Sequence, residues 1–197
     1  MGKRAERTMD ADEFLVWCLD QEDRYELVNG VPVKMTDGPQ MMTGASRKHD
    51  VVVVNILSAL RPQLRGSQCF PSTADIAVRT RIKMIRRPDV TVTCGPPSSD
   101  RYEADDPKMV VEVMSPSNKG VGWQRKLEEY RHLTGLKYIL LVETETASAT
   151  LLSRPQAEWV PSDYDALADV IELPAIGCRL PMADIYEGVT LDEPGEA

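Results

Sequence analysis

Residues 109–114 read Met-Val-Val-Glu-Val-Met, an apolar run broken only by the carboxylate of Glu112. A run this apolar suits a central strand covered on both faces. An ionised carboxylate in such a strand is expensive to desolvate unless it is paired or binds a cation. Downstream, residues 116–122 are turn-rich, and Trp123, Leu127, Tyr130 and Thr134 then mark the inward stripe of a helix closed by Gly135. Residues 137–143 form a second apolar strand. Strand, helix and strand in this order predict a crossover unit with a parallel pair, and so an α/β fold.

The remaining elements can be read outward from that unit. Asp10 and Glu13 form a capping box for a short helix ending near Asp20. Residues 24–35 are two short runs around Asn29-Gly30, a strong hairpin signal, with Pro32 confining the second run to an edge. Residues 36–45 read as a loop, and Ser46 opens a helix reaching Gly66 with Val53, Leu57, Leu60 and Leu64 at helical spacing. His49 in its first turn reads as a capping or packing residue, because no ligand-type side chain follows three or four positions on.

From 68 to 94 the pattern is strand-like, with Ile76 and Val78, then Val90 and Val92, alternating with polar neighbours. Residues 95–99 break the run and 100–108 form a charged loop. Weaker strands are expected at 147–153, 158–160 and 170–173, and a short helix within 181–188. With no internal repeat or linker, residues 9–190 are expected to form one domain between a flexible 1–8 tail and an acidic disordered 191–197 tail.

At 197 residues one core suffices, and no apolar run approaches the length of a membrane span. The basic start lacks the apolar core of a secretory signal, so a cytoplasmic protein with no membrane contact is expected. Four scattered cysteines without a C-x-x-C pair are expected to be reduced thiols. A net charge of −8 excludes a protein that coats nucleic acid non-specifically. Any phosphate contact must be local, with Arg79, Arg81, Lys83, Arg86 and Arg87 on one side and Lys119, Arg125 and Arg131 on the other as candidates.

Glu112 has a natural companion in Asp89, which Pro88 sets at a strand start. Two carboxylates converging on one point repel, and a divalent cation is the usual remedy. Mg²⁺ accepts one or two protein carboxylates and leaves positions for water and phosphate oxygens. Lys126, on the following helix, could orient a water or neutralise developing charge, and Glu26 could be a further ligand or hold a metal-bound water. Each residue also has a plain structural reading: a turn into a strand, a carboxylate paired with arginine, an exposed helical lysine beside Glu129.

Pro88-Asp89, Val111-Glu112-Val113 followed by Ser115-Pro116-Ser117, and Lys126-Leu127 with Tyr130 together resemble the Uma-two family of endonucleases in the PD-(D/E)XK restriction-endonuclease-like superfamily. The resemblance extends from Asp10 to Val189. It implies a mixed sheet flanked by helices, with an N-terminal helix and β-hairpin. It further implies Mg²⁺, replaceable by Mn²⁺, on Asp89 and Glu112, with Lys126 as the catalytic lysine and Glu26 as an auxiliary acid. The implied reaction is cleavage of DNA by a metal-activated water, and cutting two strands is compatible with a homodimer. Two departures accompany the likeness: Met114 stands where the superfamily's E-x-K lysine would be, with Lys119 as reserve, and Gly122 stands where relatives carry an acid. The alternative is a catalytically silent fold relative that binds nucleic acid or a partner protein.

Overall fold

The computed structural model describes residues 8–35, 46–96, 102–114 and 121–192. The 36–45 loop, Ser115-Pro116-Ser117 and Lys119 lie outside them. Helix α1 (Ala11–Cys18) starts on the expected capping box: Asp10 Oδ1 accepts from the Glu13 amide at 2.9 Å, and Glu13 Oε2 from the Asp10 amide at 3.0 Å. It buries Ala11 and Phe14 against Leu27, Ala77 and Ile85. Strands β1 (Tyr25–Val28) and β2 (Val31–Lys34) form the hairpin, turning on Asn29 and Gly30, both at positive φ.

Helix α2 (Arg47–Gln63) and strand β3 (Cys69–Thr73) follow, then β4 (Val78–Arg81) and β5 (Met84–Arg86). The hairpin and the β4–β5 pair make a four-stranded sheet ordered β2-β1-β5-β4, so the Pro32 strand is an edge. Strands β6 (Val90–Cys94), β7 (Pro107–Met114), β8 (Tyr138–Glu143), β9 (Ala149–Ser153) and β10 (Val160–Tyr164) complete a six-stranded sheet ordered β10-β9-β8-β7-β6-β3. Within it β7 and β8 are parallel, joined through helix α3 (Val121–Arg131), and the other pairings are antiparallel. The mixed sheet flanked by helices is the expected class.

On one face of this sheet α2 packs with a ribbon, β11 (Val170–Leu173) and β12 (Cys178–Pro181), and with helix α4 (Met182–Ile185). The expected α2 stripe holds at Leu60 and Leu64, both buried, and is shifted by one residue in its first half. Val52, Ile56 and Leu60 are fully buried, whereas Val53 and Leu57 lie at the flank. Apolar residues from 51 to 54 allow either arc, and docking on β6 and β7 selects the one centred on Val52. On the other face Tyr130 and Leu136 pack with Val78, Val110, Ile139 and Leu152. Helix α3 stops at Arg131, leaving Thr134 exposed and Gly135 in the next turn. The Arg154 guanidinium donates to the carbonyl of Arg131 at the helix end, at 3.4 Å, and to those of Leu133, Thr134 and Leu136 in the turn beyond it.

One further expectation is corrected. Cys69 and Cys94 form a disulfide, because the β3–β6 register sets them opposite one another, while Cys18 and Cys178 are free. Of the expected 191–197 tail, residues 193–197 lie outside the described residues; Asp192 donates its amide to the Glu145 carbonyl at 2.7 Å, and its carboxylate meets Lys48 at 3.3 Å. Among the described residues no helix is long and apolar enough to cross a membrane.

Gly30, at φ +81°, has room for little else, since a Cβ there would lie 3.0 Å from the Met9 carbonyl oxygen and 3.1 Å from Thr8 Cβ. Gly30→Ala should therefore destabilise the fold by about 1–2 kcal/mol, combining left-handed backbone strain with crowding. For a chain of this size that is a melting temperature roughly 3–6 °C lower by calorimetry. An unchanged melting temperature would mean that the N-terminal segment yields freely.

Candidate active site

Strand β6 runs antiparallel to β7, with Val90 opposite Val111. One step further along the ladder, Asp89 arrives beside Glu112 at the C-terminal end of β7, the end where α/β sheets usually bind ligands. The Asp89 carboxylate reaches across and accepts the Val113 amide on Oδ2 at 2.7 Å. Glu112 projects to the α3 side and is 7% exposed. Its Oε1 accepts from Lys126 Nζ and from the Tyr130 hydroxyl, each at 2.7 Å. The expected return of Lys126 from its helix to the strand is therefore present in the geometry, and Met114 is a buried strand residue.

Glu26 joins from β1. Its Oε1 lies 3.3 Å from Lys126 Nζ and accepts the Arg87 amide at 3.1 Å, while Oε2 accepts from Arg86 Nη1 at 2.7 Å. Arg86 in turn makes a two-pronged bond to Glu129, Nε to Oε2 at 2.7 Å and Nη2 to Oε1 at 2.8 Å. Glu129 is also met by the Thr80 hydroxyl and, from the exposed rim, by Arg125. The four residues singled out in the sequence, Glu26, Asp89, Glu112 and Lys126, thus converge. Glu26 does so through Lys126 and Arg86.

Carboxylates outnumber cations: four (Glu26, Asp89, Glu112 and Glu129) stand against two mostly buried cations, Arg86 and Lys126, with Arg125 adding one from the exposed rim. Burial pushes Glu112 up to about 7, with Asp89's charge adding to it, and Lys126 and Tyr130 only partly offset the rise. For Glu26 burial also works upward, but Lys126 and Arg86 outweigh it and hold the carboxyl below its usual value. Burial works against the Lys126 ammonium, yet Glu112 and Glu26 raise its pKa and keep it charged.

Sequence reasoning missed three contributors. His49, read as a cap or packing residue, has Nε2 3.2 Å from Asp89 Oδ1. Arg86 and Glu129 were expected to be, respectively, a phosphate-binding cation and an ordinary helical neighbour, and they are instead a buried pair. Their partners lie far along the chain, so no local spacing announces them. The only available signal was Glu129 three positions after Lys126, which puts both on one helical face.

The expected basic path is corrected in the same way. Arg79 is engaged by Asp12 and Glu103, and Arg87 donates to the carbonyls of Tyr25, Ala74 and Asp75. Arg131 pairs with Glu128, and Arg125 contacts Asn29 as well as Glu129. Arg81 and Lys83 remain exposed.

A family model described as "Putative restriction endonuclease" and named Uma2 matches residues 11–183. The chain belongs to the Uma2 family. It is 28% identical over 186 residues to an uncharacterized protein of Synechocystis, covering 92% of this chain and 93% of that one. Its fold is similar to the crystal structure of a protein described as a putative nuclease belonging to DUF820 from Anabaena variabilis, with a TM-score of 0.69 at 15% identity, over 92% of this chain and 99% of that chain. In this Uma2 chain the cluster lies within the matched residues.

The raised Glu112 pKa has a definite sign for stability. The folded chain keeps the proton up to about pH 7 whereas the unfolded chain releases it near 4.5, so stability contributed below that window is lost as pH rises through it. Glu112→Gln cannot titrate. In metal-free buffer its unfolding free energy should gain on the wild type between pH 4.5 and 7.5, by about 3 kcal/mol at most. A pH-independent difference would mean that Glu112 is ionised throughout.

Proposed function

We propose that this chain is a divalent-metal-dependent endonuclease hydrolysing phosphodiester bonds in DNA. The observation that carries the reading is the meeting of Asp89, Glu112 and Lys126 at the end of β7, with Lys126 Nζ 2.7 Å from Glu112. Membership of a family described as a restriction endonuclease and similarity to a nuclease fold support it.

The donor set fits a hard cation such as Mg²⁺, or Mn²⁺ in its place. Asp89 and Glu112 offer carboxylate oxygens close enough for the Asp89 charge to add to the burial that raises the Glu112 pKa, and a cation held by both would relieve each effect. Among the described residues no three His, Cys, Asp or Glu side chains are grouped for a metal. Mg²⁺ is commonly held by one or two protein carboxylates, with water and substrate phosphate filling the other positions. Asp89 and Glu112 would hold the ion, which when bound supplies an activated water and stabilises charge on the phosphoryl oxygens.

The remaining steps belong to the side chains. The Lys126 ammonium, kept charged by Glu112 and Glu26, offers N–H donors where negative charge develops during hydrolysis. Glu26 and Arg86 fix the direction of that ammonium, and the Tyr130 hydroxyl holds Glu112. With Arg79, Arg86 and Arg87 engaged internally, Arg81 and Lys83 are, among the described residues of the two basic groups, exposed to contact phosphates from the rim, and Arg125, half-exposed, would do so only by sharing its donors with Glu129 and Asn29.

A second reading, a silent relative that binds nucleic acid or protein, is favoured by Met114 in place of the strand lysine and by exposed Gly122 in the first turn of α3. One assay separates the two. Supercoiled plasmid with Mn²⁺ or Mg²⁺ should be nicked or cut, chelation should stop cleavage, and Asp89→Ala or Glu112→Ala should lower the rate at least about 100-fold, as expected for loss of charge stabilisation in the transition state. Lys126→Ala should lower the rate with less effect on Mn²⁺ affinity. Undiminished cleavage by Asp89→Ala or Glu112→Ala would sink the mechanism. Metal binding without cleavage of DNA would favour the silent relative.

A further inference from the structure

Asp89 is held from two directions. The Val113 amide donates to Oδ2 at 2.7 Å, and His49 Nε2 lies 3.2 Å from Oδ1. Asp89 and His49 are both largely enclosed, with side chains 20% and 18% exposed. His49 is the third residue of α2, and its own amide donates to the Ser46 hydroxyl at 3.2 Å, so the helix cap fixes the base of the ring. Helix α2 is seated by Val52, Ile56 and Leu60 in the same core as Val90, Val111 and Val113. The imidazole is thus carried by a rigid element packed against the strands that bear both carboxylates.

We propose that His49 is a positioning residue for Asp89: its Nε2–H donates to Oδ1 and, with the Val113 amide, fixes the carboxylate for joint cation binding with Glu112. This inference rests on the metal-dependent reading above. A purely structural tie between α2 and β6 is a weaker account of the contact. The start of α2 is already fastened by the neighbouring Lys48, which pairs with Glu145 and Asp192, and the helix body is seated by its apolar face. The His49 contact adds little anchorage, but it fixes one oxygen of a carboxylate that, among the described residues, would otherwise be set by the Val113 amide. Outer-shell donors of this kind orient the group that binds the metal and are worth about 10–100-fold in affinity.

The test is calorimetric titration of the full chain with Mn²⁺, using wild type, His49→Ala and His49→Gln. The Gln amide nitrogen can present an N–H at a reach similar to that of Nε2. His49→Ala should weaken Mn²⁺ binding about 10–100-fold, and His49→Gln should restore it to within a few-fold of wild type. If His49→Ala does not fold, His49→Met removes the donor while keeping bulk and is read against the same thresholds. Wild-type affinity in the Ala or Met variant, with or without a lower melting temperature, would reduce the contact to a structural tie and overturn the inference alone. Equal weakening in the Gln variant would overturn it too, because donation would not be what matters. Failure of the wild type to bind Mn²⁺ would remove the metal reading and this inference together.

Discussion

The arrangement around Arg86 is the constraint on which the rest of the cluster depends. Its guanidinium stands between Glu26 on β1 and Glu129 on α3, and it is itself on β5. Glu26 then reaches Lys126, which lies one helical turn before Glu129. The result is a ring in which the ion pairs Lys126–Glu26, Glu26–Arg86 and Arg86–Glu129 alternate in charge and the turn of α3 between residues 126 and 129 closes the path. Buried ion pairs of this kind are weak evidence for net stability, since apolar side chains of equal volume could pack as well. Breaking one partner is different, because it would strand a charge that water cannot reach. The ring therefore specifies how α3 sits on the small sheet, and with it where the Lys126 ammonium points.

The small sheet explains a second feature. Asp89 and Glu112 are brought together by the large sheet alone, through the antiparallel β6–β7 ladder. Lys126 is a residue of the crossover helix, and within the strand–helix–strand unit its ammonium is drawn to Glu112 of β7. Glu26 adds a second contact from outside the unit. The hairpin thus matters to the cluster even though it forms no part of the six-stranded sheet.

Elements governed by local chemistry were legible in the sequence. Asp10 with Glu13, Asn29-Gly30, Ser46 at the start of α2 and the apolar runs of β7 and β8 each encode their own geometry in a few adjacent residues. Glu112 was legible for a different reason, because its burial in an apolar strand poses a problem that some partner must solve. The identity of the partners was not legible where they came from distant elements. His49 meets Asp89, 40 residues on, and Arg86 meets Glu129, 43 residues on. The same limit explains the cysteines: the spacing of Cys69 and Cys94 says nothing, whereas the register of β3 against β6 sets them opposite. Where an apolar stretch was broad, as at the start of α2, periodicity found the helix but packing chose its face.

Fixing the arginines in place also changes how an acidic chain of net charge −8 could meet a polyanion. A sequence run of five cations leading into Asp89 suggests a phosphate track, but three of the five spend their donors on carboxylates and carbonyls inside the protein. Among the described residues near the cluster, Arg81 and Lys83 are exposed and Arg125 is shared with Glu129 and Asn29, so on the proposed reading counterion release would contribute little and long-range attraction would be opposed by the acidic balance of the chain. If the chain acts on DNA as proposed, its affinity would come mainly from contacts at the cluster itself. A divalent cation between Asp89 and Glu112 would do more than activate water: it would offset the excess of carboxylate charge that otherwise repels a phosphate. On this view cation binding and substrate binding are coupled by charge alone, without any movement of the fold.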